Sequence, residues 1–134
     1  MNDIEKYEYW LAHAQDDLQT AKAMFHAKRW MYVMFCCQQA VEKLIKGLYG
    51  LHLGFDNIPR IHNISRLISY FTEKLSQPVT QEKFDFFDIL TQYYLNNRYP
   101  DYIEDLLTQT KEDSAKDILT KTAEVFAWLQ TLKP

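Results

Sequence analysis

The sequence has 134 residues, which is the size of one ordinary domain and leaves no room for a second. Apolar residues make up 47% and charged residues 25%, values of a folded globular chain that exclude disorder. The formal net charge of -3 provides no overall basic field for a nucleic-acid backbone. We therefore expect a single domain over residues 1–134, in which any nucleic-acid contact is confined to a local patch.

Cysteine spacing and the N-terminal stretch predict the compartment. Cys36 and Cys37 are adjacent in an apolar run, a spacing that suits neither a structural disulfide nor a zinc site. The first residues, MNDIEKYEYW, are acidic and contain no apolar core of signal-peptide length, and no later window approaches about 18 uninterrupted apolar residues. These features predict a reduced, cytoplasmic protein that does not span a membrane, with no metal site and no cofactor.

Two long helices are predicted in the first half of the chain, where apolar residues recur every three or four positions. The first is expected from an N-cap at Asn2, with Glu5 completing a capping box, to about residue 26. The second is expected from about Lys28 to Leu53, with Gly54 ending it. Its first half, WMYVMFCC, is apolar all the way round, so we expect it to be covered by its own bundle and by a second subunit.

Three shorter segments follow. Asn63 is placed to cap a short helix that the stretch SQP ends. Thr80 can start a fourth helix, which is apolar over more than half of its circumference and which Pro100 stops. DYIEDLL then continues as a turn or short helix, and Thr110 with Asp113 opens the last helix. With no strand candidate, the pattern predicts an all-α fold, an up-and-down antiparallel bundle of four to five helices.

Arg98 is the first candidate site residue, because the stretch YYLNNRYPDY places it beside a proline and among tyrosines. If the fourth helix continues to this point, Arg98 lies on its packed side, where a buried guanidinium needs an anionic partner. A phosphate from outside the chain would suit the guanidinium fork, and so would a structural salt bridge. The carboxylates available for such a salt bridge are Asp101, Glu104, Asp105 and Glu42.

Two further polar groups are candidates for binding. At 100° per residue, one side of the second helix gathers Gln39, Glu42, Lys43 and Lys46, which form either a solvated face with weak ion pairs or a site. In the loop PRIHNISR, cationic side chains surround the expected N-terminus of the third helix, where an anion is favoured. They are Arg60, His62 and Arg66. Alternatively, the arginines are solvated and His62 only closes the loop.

Catalytic patterns are scarce. The histidines show no paired metal-ligand spacing, glycine patterns of phosphate loops are missing, and neither cysteine has an adjacent histidine. The residues alone therefore favour a protein that is not an enzyme.

Taken in order, YWLAHAQDDLQTAKAM, YVMFCCQQAVEKLIKGLY, IHNISRLI and NNRYPDY closely resemble the HEPN family, named for nucleotide binding in higher eukaryotes and prokaryotes. The resemblance covers nearly the whole chain. It implies a helical bundle, often dimeric, that binds a nucleotide or partners a minimal nucleotidyltransferase, as in a toxin–antitoxin-type module. The residues that it implicates in ligand binding are Gln39, Glu42, Lys43, Lys46, His62 and Arg98.

One branch of the family consists of metal-independent ribonucleases marked by an Arg followed, four to six residues later, by His. None of the arginines of this chain is followed by His at that separation, so the resemblance does not extend to that activity. We expect a non-catalytic, homodimeric protein that binds a nucleotide or a phosphate-bearing ligand. The alternatives are a pure protein-interaction module with no ligand, and a divergent ribonuclease that uses Arg98 and Tyr102, although a phenol is a poor general base at neutral pH.

Overall fold

The computed structural model describes residues 1–96 and 98–134, and it is all-helical over both ranges, as predicted. The α-helices of this part of the chain are α1 (Asp3–His26), α2 (Trp30–Leu53), α3 (Ile64–Ser69), α4 (Gln81–Thr91), α5 (Pro100–Gln109) and α6 (Glu112–Gln130). A short 3₁₀ helix, Thr72–Lys74, follows α3. The stretch DYIEDLL, expected as a turn or short helix, lies in α5.

The four longest helices run alternately down and up. Residues 27–29 join α1 to α2, and these two helices are antiparallel, since Trp10 near the start of α1 lies against Gly47 near the end of α2. His52 at the end of α2 hydrogen-bonds to the carbonyl of Leu132, just after α6, so α6 runs parallel to α2. The predicted up-and-down bundle is therefore confirmed for α1, α2 and α6.

Helix α4 completes the bundle. Lys83 in its first turn lies over the ring of Trp128 near the end of α6, so α4 and α6 are antiparallel. Ser65 of α3 donates a hydrogen bond to Asp88 of α4 at 2.8 Å and so fixes the connecting segment against it. None of the helices in residues 1–96 and 98–134 is long and apolar enough to cross a membrane.

Helix α2 is the centre of the fold and contacts all five other α-helices. Its predicted apolar stripe is buried, with Cys37, Val41, Leu44 and Leu48 fully inaccessible. On its other side, Met31 packs in a small separate cluster with Leu95 and Leu106. In the all-round apolar half of α2, the chain buries Met31, Val33, Met34 and Cys37, whereas Tyr32 is 42% exposed and Trp30, Phe35 and Cys36 are partly buried. The expected cover by a second subunit stays a prediction.

Helix ends follow the predicted caps at three N-termini and one C-terminus. Asn2, Asn63 and Thr80 each accept a hydrogen bond from the backbone N–H three residues on, at 2.8, 3.0 and 3.3 Å. Gly54 ends α2 with a φ of 106°, in a region of backbone conformation that favours glycine. Short polar side chains are the residues that most readily satisfy the free N–H groups of a first turn.

The fourth helix ends earlier than predicted, at Thr91 rather than near Pro100. The Thr91 hydroxyl donates to the Phe87 carbonyl at 2.8 Å and accepts from the Ile64 N–H at 3.2 Å, so it ties the end of α4 to the start of α3. Residues 92–96 continue as turns and coil. Pro100 begins α5 instead of ending α4, because proline is well tolerated in a first helical turn.

Two other boundaries differ from the prediction. The last helix begins at Glu112, and its N-cap is Lys111, whose N–H donates to the hydroxyl of Ser114 at 3.1 Å. The Thr110 hydroxyl instead donates to the carbonyl of Leu106 at 2.6 Å, so the expected pairing of Thr110 with Asp113 is wrong. The third predicted helix is also divided, into α3 and the 3₁₀ helix.

Candidate functional site

A buried carboxylate on α2, that of Glu42, is the centre of the candidate site. It accepts hydrogen bonds from the Gln38 amide at 2.7 Å and from the Lys46 ammonium at 3.1 Å. Gln38, Glu42 and Lys46 follow one another at intervals of four residues, so their side chains lie on one side of α2. The side chains of Glu42 and Lys46 are only 6% and 10% exposed, which makes this a buried ion pair rather than a solvated polar face.

His62 covers the outer side of this pair from the loop between α2 and α3. Its Nδ1 lies 3.1 and 3.2 Å from the two carboxylate oxygens of Glu42. Because an ionised carboxylate only accepts, Nδ1 carries the proton and donates it. In the described ranges Nε2 has no hydrogen-bond partner, and the side chain is 37% exposed, so this nitrogen is available to a ligand.

Tyr94 fixes the ring of His62 from the segment after α4. The two rings stack with their centroids 3.7 Å apart and their planes 10° apart. The backbone carbonyl of Tyr94 accepts a hydrogen bond from Nε of Arg98 at 3.1 Å. Tyr94 therefore connects the predicted site residues His62 and Arg98, which are far apart in sequence.

Arg98 itself is exposed, so its predicted position on a packed helix side is wrong. The physical reason is that α4 ends at Thr91, and helical angles cannot be continued beyond that residue. The guanidinium carbon lies 5.1 Å from the centre of the Tyr102 ring, a cation–π contact. Among the residues that the structure describes, it forms no salt bridge with any of the expected carboxylates, Glu42, Asp101, Glu104 or Asp105.

The remaining two predicted residues are placed differently. The Gln39 amide donates to the Gln38 side chain at 2.7 Å and reaches Glu42 only through it. Lys43 turns toward α1 and pairs with Asp17 at 2.7 Å, with both side chains partly exposed. The structure thus brings Lys46 and His62 into direct contact with Glu42. Gln39 reaches Glu42 through Gln38, and Arg98 reaches His62 through Tyr94. Lys43 lies outside this group and ties α2 to α1.

Sequence reasoning missed two members of the site, Gln38 and Tyr94. Gln38 lies four residues before Glu42, a spacing that predicts contact along a helix. Tyr94 belongs to an apolar run, and nothing in that run distinguishes a ring that stacks on His62 from one in the core. The sequence signal for Gln38 was therefore present, while the one for Tyr94 was not.

The inner charges of the site are compensated, and the charge of Arg98 is not. Glu42 and Lys46 balance each other inside, while Arg98 is exposed and has no carboxylate within ion-pair distance in residues 1–96 and 98–134. The thiols offer no nucleophile at neutral pH, because burial raises the pKa of Cys36 to about 11 and that of Cys37 to about 12. Over the same residues no group of three or more His, Cys, Asp and Glu side chains is placed to hold a metal ion.

Comparisons with known proteins agree with this architecture. TT1696 from Thermus thermophilus shares the fold, with a TM-score of 0.76 and 23% identity over 94% of this chain and 97% of that one. ST0689, an archaeal HEPN homologue, has a TM-score of 0.72 and 25% identity over 96% of this chain and 98% of that one. A search of curated proteins finds no match. The family model of the HEPN domain matches residues 7–132, nearly the whole chain, and the chain therefore belongs to the HEPN domain family.

Proposed function

We propose that this protein is a non-catalytic HEPN protein that binds a nucleotide or another phosphate-bearing ligand at the surface formed by His62, Tyr94 and Arg98. The observation that carries the proposal is the position of Tyr94, which stacks on the ring of His62 at 3.7 Å and binds Nε of Arg98 at 3.1 Å. A guanidinium that can donate to an anion and a ring nitrogen, Nε2, that can accept from a hydroxyl or amino group of the same ligand are thereby attached to one tyrosine. We call these three residues the Tyr94 surface.

Each residue of the Tyr94 surface has a separate part in the proposal. The terminal nitrogens of Arg98 form a planar fork that suits a phosphate, and within the described residues only its Nε is bound to the chain. Nε2 of His62, the unprotonated nitrogen, accepts a hydrogen bond from a hydroxyl or amino group of the ligand. The Glu42 carboxylate holds Nδ1 from behind and so sets the direction in which Nε2 points.

The proposal gives Lys46 a different part from the one implied by the family resemblance. Its ammonium is buried against Glu42, where it balances the carboxylate and supports the orientation of His62. Gln39 supports the same carboxylate through Gln38. Ligand contact is thus assigned to His62 and Arg98, and the polar residues of α2 have a positioning role.

The proposal is tested by thermal unfolding in the presence of ATP, GTP, NAD or inorganic phosphate. A ligand at about 100 times its dissociation constant adds roughly 2.7 kcal/mol of stability. Arg98→Ala should remove the shift, whereas the matched variant Arg29→Ala should keep it. Arg29 is also exposed and lies over a tyrosine ring, that of Tyr32 at 5.8 Å.

Two results would contradict this assignment. A shift that is as large in Arg98→Ala as in the native protein would show that the ligand binds elsewhere. No shift with any of the four compounds would favour the second candidate function, a protein-interaction module without a ligand.

That second candidate is favoured by apolar side chains exposed on α5 and just before it. Tyr99 is 80% exposed, and Leu107 on α5 is 56% exposed. A minimal nucleotidyltransferase or a second copy of this chain would cover them. Light scattering and co-purification with such a nucleotidyltransferase test this, and Leu107→Glu should weaken either contact. Assembly that is unchanged by Leu107→Glu would exclude this surface.

We also place the protein in the cytoplasm. Cys36 and Cys37 are both free thiols, as expected of a protein in a reducing compartment. Localisation of the tagged protein in its native cell tests this, and export from the cytoplasm would contradict it.

A further inference from the structure

A groove of about 430 Å³ lies between α4 and α6, away from the Tyr94 surface and separate from the function proposed for it. Its apolar lining comes from both helices: Phe86 and Ile89 of α4, and Val125 and Trp128 of α6. Phe86 is only 8% exposed and forms part of the main core, whereas Ile89 is 43% exposed. The groove is thus an apolar strip, continuous with the core, that the chain leaves open to solvent.

The borders of this groove carry unpaired negative charge. Glu82 and Asp85 lie on the α4 side and Glu124 on the α6 side, all three exposed. None of them forms an ion pair in the part of the chain that the structure describes. Against these three carboxylates the lining has two ammonium groups, Lys83 and Lys121, so the border carries an excess of negative charge that favours a partner of the opposite sign.

The lysines of the groove offset only part of this charge. The ammonium of Lys83 lies over the ring of Trp128, 4.5 Å from its centre. Lys121 pairs with Asp117 at 3.0 Å, one turn earlier on α6. Both cations are therefore engaged within the chain. Asp85 accepts a hydrogen bond from the Gln81 amide at 2.9 Å, and Glu82 and Glu124 have no ion-pair partner in the described residues.

We propose that the α4/α6 groove binds a basic amphipathic helix of a partner protein. Leucine-like side chains on one face of that helix would lie against Ile89, Val125 and Phe86. Lysines or arginines on its flanks would face the carboxylates of Glu82, Asp85 and Glu124. This is helix-in-groove recognition, in which apolar anchors recur every three or four residues. The excess of negative charge on the borders disfavours nucleic acid and the same groove of a second copy.

The test uses two fluorescently labelled synthetic peptides of about 16 residues, long enough for four helical turns. Both carry leucines on one helical face, and they differ only in having lysines or glutamates on the flanks. We expect the native protein to bind the lysine peptide and to bind the glutamate peptide about tenfold or more weakly, measured by fluorescence anisotropy. Raising the salt concentration should reduce this difference, because the charges are exposed.

Two pairs of variants separate the apolar and the charged contributions. Ile89→Asn should weaken binding of the lysine peptide by about tenfold, whereas the matched Ile4→Asn, at an isoleucine 66% exposed on α1, should not. Glu124→Lys should weaken it as well, whereas Glu8→Lys, at an exposed glutamate of α1, should not. The proposal is overturned if neither peptide binds, if both bind equally, or if each groove variant binds like its control.

Discussion

Replacing Glu42 with glutamine should be among the most destabilising single changes in this bundle. The substitution keeps the size of the side chain and its bonds to Gln38 and His62, but it removes the charge that balances Lys46. The Lys46 side chain is only 10% exposed, so its ammonium would stay in the interior without a counter-charge. Removing one partner of a buried ion pair costs about 3–5 kcal/mol. We expect about 3 kcal/mol, because Lys46 retains some solvent access.

The size of the effect can be compared with the whole fold. At roughly 2.1 cal/mol/K per residue near 60 °C, a chain of 134 residues has an unfolding entropy of about 0.28 kcal/mol/K. A loss of 3 kcal/mol then lowers the Tm by about 10 °C. It is also a large fraction of the roughly 5–15 kcal/mol by which domains are stable.

Two companion variants test the cause. Lys46→Met leaves the Glu42 carboxylate with Gln38 and His62 as donors, so it should cost less, about 1–2 kcal/mol. The double variant Glu42→Gln/Lys46→Met removes both charges and should be within about 1 kcal/mol of the native protein. Urea unfolding at pH 7, followed by circular dichroism, measures all three. A cost below about 1 kcal/mol for Glu42→Gln, or a double variant as unstable as Glu42→Gln, would show that the charge of Glu42 does not balance Lys46.

Three other changes have equally definite expectations. A Cβ at Gly50 would overlap the ring of Phe55, so Gly50→Ala should cost about 1–3 kcal/mol in urea unfolding, and an unchanged midpoint would contradict the packing. Leu106→Ala should weaken the small cluster that holds α5 against the bundle. The backbone amides of α5 should then exchange hydrogen about 30-fold faster, while those of α2 stay protected. An equal increase of the exchange rate in both helices would argue against a separate cluster. Burial raises the pKa of the Cys37 thiol from 9.0 to about 12. Between these two pH values the folded protein keeps a proton that the unfolded chain loses. The contribution of Cys37 to the free energy of unfolding is therefore complete below pH 9 and is lost as the pH rises toward 12. Relative to Cys37→Ala, the native protein should lose up to about 1.4 kcal/mol per pH unit in that range, and parallel curves would refute this.

The sequence predicted the helices better than it predicted their ends. Caps at Asn2, Asn63 and Thr80 depend on local hydrogen bonds, which a few adjacent residues determine, and all three are present. The end of α4 depends instead on the contact of Thr91 with the backbone of Ile64, 27 residues away. Because the apolar run continues past Thr91, helical periodicity gave no sign of that end.

The same distinction explains which part of the site was predictable. Glu42 and Lys46 were grouped correctly, since a spacing of four residues places them on one side of a helix wherever that helix packs. Lys43 lies only one residue from Glu42 and turns to Asp17, because its direction depends on the position of α1. Arg98 was predicted to lie on a packed side because α4 was expected to continue to it, and this prediction is wrong because α4 ends at Thr91. The predicted positions of Lys43 and Arg98 were thus wrong because each depends on a contact between two different helices, which the local sequence does not determine.

The family resemblance and the geometry assign different parts to Lys46, and the double variant of the ion pair distinguishes them. If Lys46 contacts the ligand directly, Glu42→Gln/Lys46→Met should lose the ligand-induced rise in Tm. If Lys46 only balances Glu42, the glutamine at position 42 still accepts a hydrogen bond from Nδ1 of His62, and the rise should persist. His62→Ala, which leaves the ion pair in place, should then remove it. Since hydrophobic residues can replace a buried ion pair without loss of stability, a folded double variant that still responds to the ligand would assign binding to His62 and Arg98.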